Sequence, residues 1–159
     1  MPSLHMTSTG LNFADTQTVS TSGTMASELL DHYEEGSWTA SMTGSQGAPS
    51  AACNSSAHYT KIGNLVYINI RRFQSINVNG ASGTLKITGL PFSTGTSWIT
   101  ASLNCYNFPM AQNGNTVLEG YSDYMMGLES HDDAVWTDWG IEADGSTRYM
   151  ALTGFYNIP

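Results

Sequence analysis

From Leu65 to Arg71 the chain alternates. Leu65, Tyr67, Asn69 and Arg71 point one way; Val66, Ile68 and Ile70 point the other. A period of two with one apolar face marks a strand that buries one side. Gly63-Asn64 precedes it, and both residues tolerate positive φ. Tyr59 to Ile62 therefore reads as a short strand entering that turn, and Tyr59 to Arg71 as the central hairpin of an all-β domain. The same period recurs along the chain. Trp38, Ala40 and Met42 share one side of a strand over Ser37 to Thr43. Leu85 and Ile87 share the inner side of a short strand. Between Ser97 and Phe108, Ile99, Ala101, Leu103 and Cys105 face the core, while Trp98, Thr100, Ser102, Asn104 and Tyr106 face away. Thr116 to Leu128 is a strand with a break at Gly120. Arg148 to Tyr156 is the last, with Met150 and Leu152 opposite Tyr149, Ala151 and Thr153.

Breakers separate these runs. Gly44 to Ser56 has no core-forming pattern and reads as a loop; Asn77 to Gly83, Asn113-Gly114 and Asp144-Gly145 read as turns. Pro91 cannot donate to a ladder, so the chain leaves the sheet after Gly89-Leu90. Seven to nine strands with turns at roughly ten-residue spacing predict an antiparallel β-sandwich or jelly roll. Met1 to Gly23 lacks a sustained period and reads as an extended N-terminal arm with one short strand near Leu11 to Ala14. Thr24 to Tyr33 carries the only helical signal, a turn or two capped by Ser27, ended by Glu34-Glu35-Gly36. The expected division is an arm for attachment or oligomerisation over 1–36 and a β-sandwich domain over 37–159.

Composition sharpens the class. Charged residues are 11% of the 159, against about 25% in ordinary globular domains. Ser, Thr, Asn and Gly carry the polarity instead, a surface suited to close self-association. The net charge of -8 and only five Lys and Arg argue against nucleic acid and against an anionic membrane surface, because neither meets a run of cations. No stretch approaches the ~20 apolar residues of a membrane span, and Met1 to Thr7 does not read as a signal peptide. Cys53 and Cys105 are too far apart for a CxxC motif and read as free thiols, Cys53 in a loop and Cys105 in a strand.

Candidate chemistry is sparse. His131-Asp132-Asp133 with Glu129 and Asp138 lacks the spacing of a calcium loop and reads as an exposed acidic loop. Glu34 and Glu35, adjacent on an extended chain, point apart and make a poor catalytic pair. Asp31-His32 offers no more, and His5 and His58 have no companions. No GxSxG, HExxH or phosphate-cradling glycine loop occurs. The expectation is no enzyme, no cofactor and no metal. The aromatics say more: eight Tyr, four Trp and five Phe are many rigid contact groups of the kind favoured at interfaces. Tyr121, Tyr124, Trp136 and Trp139 fall in or near the late loops and are the candidate recognition surface.

Leu30–Thr39 (LDHYEEGSWT), Tyr59–Tyr67 (YTKIGNLVY) and Gly89–Phe92 (GLPF), in that order, resemble a recurring pattern in bacteriophage virion proteins. It resembles the C-terminal domain of tail-fibre and head-fibre proteins of marine phages and prophages. Gly10–Thr18 (GLNFADTQT) is similar to the segment preceding that domain, and Leu152–Tyr156 (LTGFY) to its last strand. The resemblance implies a β-rich homotrimer on the virion surface, made in the host cytoplasm, without catalytic residues. It implies a short tail fibre, or a capsid decoration protein or head fibre, bound to other virion proteins through its arm and facing a host glycan or protein. In this setting Asp31, Tyr33, Glu34 and Glu35 are candidate oligomer contacts, with Arg71 and Arg72 as their partners across a subunit boundary. Gly63 and Gly89 are expected to meet backbone requirements. A carbohydrate-binding, lectin-like module is the alternative.

Overall fold

A computed structural model describes residues 4–7, 10–13, 33–108, 115–130, 135–141 and 147–159. The expected helical turn before Tyr33 and the turns at Asn113-Gly114 and Asp144-Gly145 lie outside those residues. Two short strands, β1 (Leu4–Thr7) and β2 (Gly10–Phe13), pair antiparallel as a hairpin. The sequence had offered one strand there.

The main sheet contains β3 (Tyr33–Gly44), β4 (Cys53–Ile62), β5 (Leu65–Ile76), β6 (Leu85–Thr88), β7 (Thr96–Tyr106), β8 (Asn115–Tyr121), β9 (Tyr124–Ser130), β10 (Thr137–Asp138) and β11 (Arg148–Asn157). All its pairings are antiparallel. Two meanders, β3–β4–β5 and β7–β8–β9, are joined by β6 on one side and β11 on the other. Because β8 pairs with both β7 and β9, the ladder runs round and closes: eight strands form a barrel, and β10 is added outside β9. This corrects the sandwich or jelly roll. Alternation reports that each strand buries one face, and a barrel and a sandwich satisfy it equally.

The inner faces fill the barrel. Ala40, Ala57, Val66, Ile68, Ile70, Phe73, Met125 and Met150 are fully buried, joined by Met42, Leu85, Ile87, Leu118, Leu152 and Tyr156. Each large aliphatic or aromatic side chain of this set contributes about 1.5–3 kcal/mol. Two strands are longer than the sequence suggested. Glu34-Glu35-Gly36 is not a turn; it pairs with Lys61, Thr60 and Tyr59 within β3–β4. Strand β4 begins at Cys53, not Tyr59, so Cys53 stands at a strand end. Gly63 and Gly89 do adopt positive φ, and a Cβ at Gly89 would meet the Thr39 carbonyl oxygen at 2.6 Å. The break in the β8–β9 region falls at Ser122-Asp123, where Ser122 takes φ 55°, and not at Gly120.

Candidate functional site

The outer wall of the barrel carries the polar and aromatic groups available to a ligand or a partner. Its shape is set by two irregularities in β5. Ile70 pairs with Leu152 and Phe73 with Met150, so Arg71 and Arg72 together oppose Ala151. Phe73 pairs with Met150 and Ile76 with Arg148, so Gln74 and Ser75 together oppose Tyr149. Each is a β-bulge, one extra residue on one strand. Without the first bulge, alternation would turn Arg72 inward behind Ile70. With it, Ile70 and Phe73 stay buried and both arginines are exposed.

Around them, Asn54, Ser55, Ser56, Arg71, Arg72 and Gln74 line a cleft of about 740 Å³. The Ser55 hydroxyl donates to the Arg72 carbonyl at 3.0 Å, tying β4 to the bulge. Asn54, exposed, accepts through Oδ1 from the Ser41 hydroxyl at 2.6 Å, and its amide N–H groups are not used in that bond. Arg72 is shared with an adjoining hollow of about 330 Å³, lined also by Asn104, Tyr106, Tyr149 and Ala151. There its guanidinium lies 5.3 Å from the centre of the Tyr149 ring, and Tyr149 packs tilted against Tyr106 at 5.7 Å.

This use of rings is general. Lys61 lies over Phe92 at 5.6 Å, Lys86 over Tyr124 at 3.6 Å and Arg148 over Phe108 at 5.4 Å. Of the five cations, only Arg71 has neither a ring nor a carboxylate partner among the described residues.

The four aromatics expected at a recognition surface divide. Tyr121 and Tyr124 stack at 5.6 Å across the β8–β9 turn, half-buried. Tyr121 donates to Glu119, and that hydrogen bond pushes its hydroxyl up to about 12. Trp136 is exposed and lies 6.3 Å from Trp98, also exposed. Together with Thr100, Ala101, Leu103, Thr116 and Val117 they line a cleft of about 440 Å³ where β7 and β8 part, their ladder ending at Ile99–Leu118. Trp139 is a correction: it is 1% exposed. Its ring packs onto Gly127, where a Cβ would come within 2.7 Å, and Phe108 covers it at 5.8 Å. An indole beside a glycine on the neighbouring strand fills the gap left by the missing side chain.

Of the expected oligomer contacts, Asp31 lies outside the described residues. Tyr33, Glu34 and Glu35 are exposed at the start of β3. Tyr33 donates to Glu35 at 2.8 Å and Tyr59 to Glu34 at 2.7 Å; these bonds to carboxylates raise both phenols. Glu35 pairs with Thr60, whereas Arg71 follows the Ala57–Ile70 pair, so within one chain the acids and the arginines stand near opposite ends of β4. Of the acidic loop, 131–133 lies outside the described residues, and Asp138 accepts from the Thr84 hydroxyl at 2.7 Å. Among the described residues no three His, Cys, Asp or Glu converge as metal ligands. Cys53 and Cys105 are both free; burial raises the Cys53 thiol and pushes Cys105 up to about 11.

No family profile matches the sequence, and no characterised protein matches it in sequence. The barrel is similar to part of the Dettilon tailspike protein (gp208), with a TM-score of 0.61 at 17% identity. The two share a fold. The likeness covers 79% of this chain and 24% of that one. Trp98, Tyr106 and Tyr149 were not singled out in the sequence as candidates for recognition. The signal for Trp98 and Tyr106 was present, since alternation in β7 turns both aromatics outward.

Proposed function

We propose that this barrel is a non-enzymatic structural module of a bacteriophage virion, a spike or fibre domain that assembles with copies of itself and presents its outer wall at the particle surface. The observation that carries the reading is the barrel shared with a tailspike, which agrees with the resemblance of three sequence motifs to phage fibres. Self-association is supported by the wall near the β4–β5 turn. Tyr33, Ile62, Leu65, Tyr67 and Phe155 are each between 41% and 51% exposed. Register brings them side by side: Tyr33 pairs with Ile62, Ile62 with Leu65, and Tyr67 with Phe155. An exposed apolar group of this kind marks a contact surface, and a homotrimer is the assembly proposed. Native mass of the purified protein tests it: trimer for the natural chain, and monomer with unchanged circular dichroism for Leu65→Glu. A natural chain that is monomeric at all concentrations overturns the trimer.

The location within the virion, tail or capsid shell, is decided by labelling the protein on intact particles in the electron microscope. A second reading, a glycan-binding module, is favoured by the Trp98–Trp136 cleft, whose two indoles offer flat apolar faces.

A further inference from the structure

We infer that the bulged segment of β5 is a binding site for an acidic saccharide, with Arg71 and Arg72 holding its anionic group and the Tyr106–Tyr149 pair receiving the face of its ring. The inference goes beyond the proposed function, at a site that shares no residue with the Trp98–Trp136 cleft, and does not depend on the trimer.

Three observations converge. The first is the cost the fold accepts. A bulge breaks a ladder and leaves a residue unpaired, and bulges are found where a side chain must be re-aimed. Here two occur within six residues of one strand, and the first keeps Arg72 on the outer face that Arg71 and Gln74 share. The second is charge. In a chain of net charge -8, the two adjacent guanidiniums have no carboxylate partner among the described residues, although acids outnumber cations thirteen to five. A planar guanidinium matches a carboxylate or sulfate with two parallel hydrogen bonds, which an isolated ammonium cannot do. The third is what surrounds the charges. Asn54, Ser56 and Gln74 line one side, with the amide and hydroxyl donors and acceptors that a polyhydroxylated ring requires. Tyr106, 64% exposed and backed by Tyr149, lines the other, a flat apolar face for the carbon–hydrogen side of that ring. Arg72 stands between the two hollows and belongs to both.

A phosphate polymer fits less well. Such polymers are held by runs of cations, and this wall offers two. An acidic peptide would use the arginines but leave the ring faces and the hydroxyl groups unused.

The test uses the full chain and three probes: trigalacturonate, a sulfated trisaccharide and neutral maltotriose, followed by calorimetry and by chemical-shift changes. Binding of either acidic probe with no binding of maltotriose is expected, and the stronger of the two names the acid. Arg71→Ala/Arg72→Ala should weaken binding by tenfold or more, since both changes remove charge-assisted hydrogen bonds to the anionic group. Tyr106→Ala should weaken it by a smaller factor. Arg72→Lys, which keeps the charge and loses the planar fork, should not restore full affinity. Circular dichroism and native mass of each variant are measured alongside. No binding of either acidic probe, equal binding of maltotriose, or an unaltered affinity in the double variant overturns the proposal. A double variant that binds no acid but also falls from trimer to monomer overturns it too, because the arginines would then serve a neighbouring copy. A monomeric natural chain that still binds the acid leaves this site standing and removes only the trimer.

Discussion

Strand β5 has two halves that obey different rules. From Leu65 to Ile70 it keeps strict alternation, with Val66, Ile68 and Ile70 buried and Leu65 and Tyr67 exposed. From Arg71 to Ile76 it takes two extra residues and alternation fails, yet Phe73 returns to the core with no exposure. The regular half is dictated by the interior: a one-residue slip would move every side chain to the wrong face. The bulged half is dictated by the exterior, and the core is kept by skipping residues. One strand can therefore serve packing and display in sequence, provided that the irregularity returns the chain to register.

The largest effect should come from the regular half. Ile68→Ala removes a fully buried side chain and should cost about 2–5 kcal/mol, read from the urea midpoint. Arg71→Ala in the bulged half should change stability by no more than about 0.5 kcal/mol; equal costs would break the contrast. Next comes Tyr156, which pairs with Val66 beside the regular half and is 2% exposed. Burial pushes its hydroxyl from 10.0 up to about 12, and the hydroxyl donates to the Phe92 carbonyl at 3.0 Å, a bond that only the neutral phenol can make. The fold thus favours the neutral phenol. That stabilisation is complete below pH 10 and is lost as the pH rises toward 12. Tyr156→Phe should lack that alkaline loss relative to the natural chain, and should cost about 1 kcal/mol below pH 10 for the missing hydrogen bond. Urea titrations of both chains between pH 8 and pH 12, at intervals of about 0.5, would show it; parallel curves would refute the assignment.

A pair of deletions is the most discriminating. Deleting Arg72 leaves Ile70, Arg71 and Phe73 in perfect alternation, in, out, in. The barrel should keep its fold at a cost of about 1 kcal/mol or less, the value of an exposed cation–ring contact. Deleting Asn69 from the regular half should unfold the protein by the same logic. If both deletions are equally damaging, the bulge is part of the packing and not of the display.

Much of the barrel was legible in the sequence because alternation is a local property. The inward positions of Val66, Ile68, Ile70, Leu85, Ile87, Met150 and Leu152 are read from neighbours two residues away. Closure was not legible, since it depends on β6 pairing with both β3 and β9 and on β11 pairing with both β5 and β7, contacts between segments far apart in the chain. The extension of β3 through Glu34-Glu35-Gly36 was hidden because Gly weakens strands and paired acids suggest a solvated turn. The expected recognition surface was half legible. Trp136 is exposed, but Trp139 is taken inward by Gly127, a partner on another strand. The Arg71-Arg72 pair was visible, but the bulge that turns both outward is fixed by the pairing of β5 with β11 and leaves no trace in the local pattern.

The placing of positive charge over aromatic rings has a consequence for the medium in which the protein works. Raising ionic strength from 0.01 M to 1 M shrinks the Debye length from about 30 Å to about 3 Å and strips exposed ion pairs of their value. Lys61, Lys86 and Arg72 lie over rings 3.6 to 5.6 Å away, and a neutral ring carries no net charge for dissolved counter-ions to screen. Brine and fresh water should find the same barrel. What they should change is the reach of Arg71, so the electrolyte alters what the wall attracts while the wall itself stays as it is.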